Sequence, residues 1–366
     1  MRHRAPPLDV PLTRSAQAQF ASKIVKWQEL HGRRDLPWQN TRDPYKVWLS
    51  EIMLQQTQVS TVLGYFGRFL QRFPSVESLA DASIDDVLAL WSGLGYYSRA
   101  RNMHQCAQDV MMFHGGKFPC TAARLQSLPG IGPSTAAAIA AFCFSERVAI
   151  LDGNVKRVLT RVLAFEGDIS QSANQRVLWL LANTLPPKRA LATSMPRYTQ
   201  GMMDLGATVC TLRKPTCCAC PVQSICQGLL EGKPEKYPVK TRKIKRSFQQ
   251  LWLLWAQTQG GAVWLVKRPN SGVWGGLYCL PVFDSKAALI DFVPESLQKQ
   301  IVNLPTFKHV LTHKDLQLSP VQIKCPSAQM LQIDPHNPVG RWFAQLEFAA
   351  LGLPAPIRKL LDDELA

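Results

Sequence analysis

The sequence predicts two domains: an all-α domain over residues 15–228 and a smaller α+β domain over residues 249–366, joined by a basic linker at 229–248. Three observations carry this reading. Apolar residues recur at helical spacing from Ser15 to about residue 210, with no alternating strand pattern between them. The stretch EGKPEKYPVKTRKIKRSF at 231–248 holds two prolines, many Lys and Arg, and few large apolar groups, which is linker composition. Beyond it the hydrophobic period shortens to that of strands.

Composition narrows the partners. The chain of 366 residues carries a formal net charge of +16, and its pI is near 9.6. A protein this basic meets a polyanion, and nucleic acid is the default. No run of about 18 apolar residues exists, so no membrane span is expected. The start, MRHRAPPLDVPLTR, lacks the apolar core of a secretory signal and reads as a disordered basic arm at residues 1–14. Ten cysteines without such a signal point to a reducing compartment, the cytoplasm, and away from a disulfide framework.

Taken in order, a helix is expected from Ser15 to about Leu30, carried by Phe20, Ile24, Val25, Trp27 and Leu30. A long helix follows from Pro44 to Phe73, in which Val47, Trp48, Ile52, Val59, Val62, Phe66 and Leu70 keep the 3.6 period. Glu51 lies at the edge of that apolar stripe, three residues after Trp48 and three before Leu54. Partial burial there raises a carboxyl pKa and keeps a proton at hand near neutrality. Gln55, Gln56 and Gln58 cluster on the same side, and amides read base edges. A short helical pair covers Pro74 to Leu90. A Gly-punctuated loop, Trp91 to Tyr97, then leads to a helix from Arg99 to Phe113. Tyr96 and Tyr97 beside Arg99 and Arg101 suit a surface that stacks on bases and holds phosphates.

The turn Leu128-Pro129-Gly130-Ile131-Gly132 opens a small-residue helix from Pro133 to Phe144. Gly130 and Gly132 are read as positions of positive φ and close backbone approach. Pro133 suits the first helical turn, and the free N–H groups there favour an anion such as a DNA phosphate. Asp152 then stands alone where Ala149-Ile150-Leu151 gives way to Gly153-Asn154, at the start of a further helix, as a carboxylate aimed into a cleft. Helices continue through Val177–Leu185 and Tyr198–Leu205.

Cys210, Cys217, Cys220 and Cys226 follow within 17 residues, a metal or cluster site. Zinc is the generic occupant of four cysteines; the spacing is closer to an iron–sulfur loop. Cys218 breaks that spacing and is left out. Arg213 and Lys214 make the loop basic. In the second domain, strands are expected at Gln250–Gln257, Ala262–Lys267, Leu277–Phe283 and Leu316–Lys324, with helices at Ala287–Phe292 and Pro356–Leu361.

With these pieces placed, the chain resembles the MutY-type adenine DNA glycosylases over nearly its whole length. The matching segments are LPWQ at 36–39, WLSEIMLQQTQV at 48–59, GLGYYSRARN at 93–102, LPGIGPSTA at 128–136, ILDGNVKRVL at 150–159, MMDLGA at 202–207, the four cysteines, and WGGLYCLP at 274–281. The resemblance implies a helix-hairpin-helix domain whose cysteines hold a [4Fe-4S] cluster, followed by a Nudix-like domain. It implies a monomer that binds double-stranded DNA and excises adenine mispaired with 8-oxoguanine or guanine. Glu51 protonates the purine and Asp152 stabilises the sugar cation, the two-carboxylate logic of glycoside hydrolysis. Asn154 orients the water or Asp152. Gln56 and Tyr96 match the family's intercalating residues, and Trp38, Leu54 and Gln200 its adenine pocket. Gly130, Gly132 and Lys156 fall in its DNA-contacting segments.

Two departures stand out. The loop that meets 8-oxoguanine in this family reads Phe-Ser-His; here it is Leu311-Thr312-His313, so the hydroxyl remains and the ring is lost. The glutamate-rich helix of nucleotide-hydrolysing Nudix enzymes is absent after Leu280, so hydrolysis of nucleoside diphosphates is not expected. A competing reading is an endonuclease III-like glycosylase with AP lyase activity; such lyases carry Lys where this chain has Ser134, and Lys156 does not match that nucleophile. A DNA-binding module without catalysis is the other alternative, against which the retained Glu51 and Asp152 argue.

Overall fold

The computed structural model describes residues 12–39, 41–242, 245–326 and 340–365. The basic arm expected at 1–14 lies almost wholly outside the described residues. These divide into two compact units, one within Met1–Ala80 and Gln105–Lys243, the other within Asp81–His104 and Ile244–Ala366.

The first unit is helical, with no strand among its described residues. Its opening helix, Arg14–His31, is capped by the Thr13 hydroxyl accepting from Ala16 N. The long helix expected from Pro44 to Phe73 is instead two, Pro44–Leu54 and Val59–Arg72. The break falls at Gln55–Gln58, where Gln56 takes the left-handed conformation at φ 58°. A non-glycine residue pays roughly 1–2 kcal/mol there. The apolar period runs through the break, so periodicity alone could not reveal it. The break also separates the glutamines: Gln55 Nε2 donates to Thr135 Oγ1 at 3.2 Å, while Gln56 is exposed.

The small-residue helix, Pro133–Phe144, appears as expected and is buried from Thr135 through Ala141. The last long helix, Leu191–Thr208, packs against Arg14–His31, Pro133–Phe144 and the helix Gly153–Val162. Two glycines permit this. A Cβ on Gly201 would meet Ile24 Cγ2 at 2.8 Å, and one on Gly206 would meet Asn154 Cβ at 2.7 Å. Phe20, Ile24, Ile150, Leu151, Val155 and Met202 form the core between them.

The expected linker begins as part of this unit. Tyr237 is 1% exposed, Ile169 N donates to Val239 O at 3.0 Å, and Thr241 bonds to Asp168. One aromatic side chain and a set of backbone bonds tie down a stretch whose composition reads as free.

Among its described residues, the second unit holds an eight-stranded mixed sheet: β1 Ser247–Thr258, β2 Val263–Lys267, β3 Tyr278–Cys279, β4 Val282–Phe283, β5 Val302–Asn303, β6 Phe307–Val310, β7 Lys314–Cys325 and β8 Gly340–Phe343. The path runs β3-β2-β1-β7-β5, with β4 on β1, β6 on β7 and β8 on β2. β1 and β7 pair in parallel from Ser247 opposite Lys314 to Thr258 opposite Cys325. The expected strand Leu277–Phe283 is interrupted at Pro281, which has no N–H for a ladder. β5, β6 and β8 are too short to show a period. Leu254, Leu289, Val293, Leu297, Val321 and Ile323 make its core. Within this unit, Arg101 Nη2 donates to Asn270 O at 3.1 Å and Ser92 Oγ to Leu353 O at 2.9 Å.

Candidate active site

The first unit contains a cavity of about 640 Å³ whose lining includes Glu51, Trp38, Leu54 and Gln200. Glu51 comes from the last turns of Pro44–Leu54, a helix started by Asp43 accepting from Tyr45 N at 2.9 Å with Pro44 behind it. Burial, helped by the nearby negative charge of Asp152, pushes the Glu51 carboxyl up to about 8. A carboxylic acid in this state keeps its proton at neutral pH and can deliver it.

Asp152 is the N-cap of the helix Gly153–Val162, its Oδ1 accepting from Val155 N at 2.7 Å. Burial raises its pKa, against the N–H groups of Val155 and Asn154 and the cations Arg157 and Lys156, which lower it. Ser134, in the first turn of Pro133–Phe144, accepts the Leu151 N–H at 3.1 Å, so it fixes the backbone next to Asp152. The Asn154 amide oxygen accepts from Arg157 Nη2 at 2.8 Å, and Arg157 also reaches Gly206 O and Cys210 O. Lys156 Nζ donates to Gln175 Oε1 at 3.0 Å, and burial lowers its pKa while Asp152 opposes.

Trp38 is 8% exposed and meets the Phe66 ring edge-on at 5.4 Å between centroids. Gln200 donates through Nε2 to Asp204 Oδ1 at 3.0 Å. Asp204 is 1% exposed and also takes Arg33 Nε on Oδ1 at 2.7 Å and Arg33 N on Oδ2 at 3.1 Å. Sequence reasoning missed Asp204 and Arg33. The signal available was the four-residue spacing of Gln200 and Asp204, which puts them on one helical face.

The turn before the small-residue helix departs in part from expectation. Gly130 has φ 73°, but Gly132 is an extended N-cap at φ −78°. A Cβ there would meet nothing within 4 Å, so neither the backbone angle nor the packing of this chain requires glycine at 132. Tyr96, at φ 49° and 40% exposed, belongs to the second unit, where its hydroxyl bonds to the Thr312 hydroxyl and Arg99 lies over its ring at 5.6 Å. Leu311, Thr312 and His313 form the tight connection between β6 and β7, closed by Leu311 N donating to Lys314 O at 2.8 Å. Thr312 and His313 are exposed.

Cys210, Cys217, Cys220 and Cys226 line one small, nearly apolar cavity. Arg161, a buried cation that the sequence did not single out, donates to Cys210 Sγ at 3.3 Å and to the carbonyls of Thr211, Leu212 and Tyr237. Among the described residues no three His, Cys, Asp or Glu side chains are grouped so as to hold one metal ion.

Residues 49–183 match the family model of the HhH-GPD superfamily base excision DNA repair proteins, and 251–363 the NUDIX domain. The chain is 36% identical over 351 residues to an adenine DNA glycosylase of Buchnera aphidicola subsp. Acyrthosiphon pisum (strain APS), covering 94% of this chain and 97% of the relative. It is 33% identical to the adenine DNA glycosylase of Mus musculus, covering 93% of this chain and 77% of the relative. Among solved structures, a thermostable thymine-DNA glycosylase superposes with a TM-score of 0.52 at 28% identity, covering 59% of this chain and 98% of its own. An endonuclease III–DNA complex shares the fold, with a TM-score of 0.50 at 18% identity over 60% and 98% of the two chains.

Proposed function

The chain belongs to the adenine DNA glycosylase family, and from that premise we propose that it flips out and hydrolytically excises adenine mispaired with 8-oxoguanine or guanine in double-stranded DNA. It is a DNA-binding N-glycosylase of base excision repair that removes adenine. The observation that carries the detailed reading is Glu51 in the lining of a 640 Å³ cavity, its carboxyl pushed up to about 8 by burial and by the charge of Asp152.

The chemistry follows from that pair. Adenine leaves poorly as an anion, so Glu51 delivers a proton to the purine as the glycosidic bond lengthens. The sugar gains positive charge, and ionised Asp152 stabilises it. The N–H groups of Val155 and Asn154 and the cations Arg157 and Lys156 favour ionised Asp152 against its burial, whereas burial and the Asp152 charge both favour protonated Glu51. Once the base has left, Glu51 as a carboxylate activates the water that completes hydrolysis. The flipped adenine lies against Trp38 and Leu54 with Gln200 at its edge. Gln56 and Tyr96, both held in left-handed backbone, enter the stack. Gly130, Gly132 and Lys156 approach the phosphates, and Leu311, Thr312 and His313 meet the lesion opposite.

Cys210, Cys217, Cys220 and Cys226 would hold a [4Fe-4S] cluster, whose role here is structural. The shared cavity and the cationic Arg161 beside Cys210 suit a bound anionic body. Zinc is the alternative occupant of four thiolates, and the spacing of these four cysteines is closer to that of an iron–sulfur loop. We place the protein as a monomer in the bacterial cytoplasm, on DNA. No described helix is long and apolar enough to cross a membrane.

The deciding assay is base release from a duplex with adenine opposite 8-oxoguanine, read with and without alkali, beside duplexes with adenine opposite guanine or thymine. Preferred release opposite the two purines, with strand cutting only after alkali, is expected. Equal release opposite thymine would overturn the mispair specificity. Cutting without alkali would favour the lyase reading. Iron and sulfide analysis of anaerobically purified protein tests the cluster, and stoichiometric zinc would overturn it.

A further inference from the structure

The donor pattern around Gln200 fixes which end of its amide faces the base. Asp204 is buried and already receives two donors from Arg33, the Nε at 2.7 Å and the backbone N–H at 3.1 Å. A carboxylate so placed accepts only. Gln200 can satisfy it with nothing but its N–H, and Nε2 lies 3.0 Å from Oδ1. The amide oxygen is the end left for the cavity that Gln200 lines, and among the described residues no protein donor reaches it.

We infer that Asp204, backed by Arg33, is a positioning residue that locks Gln200 as a hydrogen-bond acceptor, so that the pocket selects a purine carrying a 6-amino group and rejects one carrying a 6-oxo group. An amide free to turn would present either end and lose that choice. With Asp204 in place, turning would set the amide oxygen against a carboxylate oxygen. The 6-amino group of adenine donates to Oε1; the 6-oxo group of hypoxanthine would face it lone pair to lone pair, a mismatch a buried site punishes strongly. The inference rests on the adenine-excising reading of the cavity and adds the residue that sets the selectivity.

The test compares single-turnover release of adenine and of hypoxanthine from otherwise identical duplexes opposite guanine. The ratio of the two rates is taken within each protein preparation, so the fraction folded cancels. Asp204→Asn places an N–H against one of the Arg33 donors whichever way its amide lies, so the acceptor that pins Gln200 is no longer fixed. The adenine-over-hypoxanthine ratio should fall about tenfold or more. Gln200→Leu, which keeps the Arg33–Asp204 pair and removes the amide, should lower it comparably and decides the matter if the first variant does not fold. An unchanged ratio in either variant overturns the inference. Failure of the native protein to release adenine at all would instead overturn the reading on which it rests.

Discussion

Glu51 and Asp152 oppose each other: after burial, the charge of Asp152 is the second cause that lifts the Glu51 carboxyl to about 8. Burial raises Asp152 as well, but the N–H groups of Val155 and Asn154 and the cations Arg157 and Lys156 favour its ionised form. The proposed mechanism needs Glu51 protonated and Asp152 ionised. The single-turnover rate should decline as pH rises through about 8. It should also decline on the acid side, at a pH above the ordinary value of Asp152, because burial raises that group. A rate flat from neutrality to well above pH 8 would remove Glu51 as the acid.

The same shift predicts a stability effect. In the unfolded chain Glu51 titrates near 4.5, and in the folded protein near 8. Between those values the folded state holds the extra proton, so the contribution of Glu51 to stability falls as pH rises through this window and is constant outside it. Glu51→Gln carries no such loss. Its melting temperature should match the native protein near pH 4.5 and exceed it increasingly toward pH 8, while excision is abolished and DNA binding remains. A melting-temperature difference independent of pH would contradict the buried, protonated state of Glu51.

Most helices of the first unit were legible because their signals are local. Pro133 and the alanines that follow mark one helix, and Asp152-Gly153 marks the start of another. The break at Gln56 was not legible, since apolar residues hold their period across it and a glutamine does not signal a left-handed backbone. In the candidate site, Trp38, Leu54 and Gln200 came from the resemblance, and the structure places them with Glu51 in the lining of one cavity. Arg33 and Asp204 escaped because their pairing spans 171 positions of sequence. Arg161 escaped for the same reason: its partners are carbonyls and a thiol that no local pattern reveals.

Asp152 serves as both cap and candidate catalyst, and two substitutions separate the roles. Asparagine caps about as well as aspartate, whereas alanine costs roughly 1 kcal/mol. Asp152→Asn should therefore keep nearly native stability, and Asp152→Ala should lose about that amount. Both should lose excision, because neither side chain carries the negative charge that stabilises the sugar cation. Thermal unfolding and single-turnover kinetics on the same preparations check this, and near-normal excision by Asp152→Asn would remove the carboxylate from its role.

Gln56 combines an exposed side chain with a backbone at φ 58°. Glycine relieves the left-handed cost and adds chain entropy of similar size, so Gln56→Gly should change stability by less than about 1 kcal/mol. Gln56→Val, β-branched in that conformation, should cost about 2 kcal/mol. Both should weaken binding to mispaired duplex. Native affinity in Gln56→Gly would show that the side chain does not enter the DNA stack.

Ser134 closes the argument on lyase chemistry. Its hydroxyl accepts the Leu151 N–H at 3.1 Å, one residue before Asp152, at the N-terminal turn of Pro133–Phe144. A hydroxyl cannot form a Schiff base with the sugar aldehyde, so the native protein should leave the strand uncut until alkali is added. Ser134→Lys would place an amine beside the opened sugar, and the helix N-terminus would favour its neutral, nucleophilic form. The variant loses the acceptor for Leu151 N–H, a cost of about 1 kcal/mol, so its adenine release should be slower than native. It should nevertheless gain strand cleavage and be trapped on DNA by borohydride. Gel assays without alkali decide it: efficient cutting by the native protein, or normal adenine release without trapping in Ser134→Lys, would show that position 134 does not face the sugar.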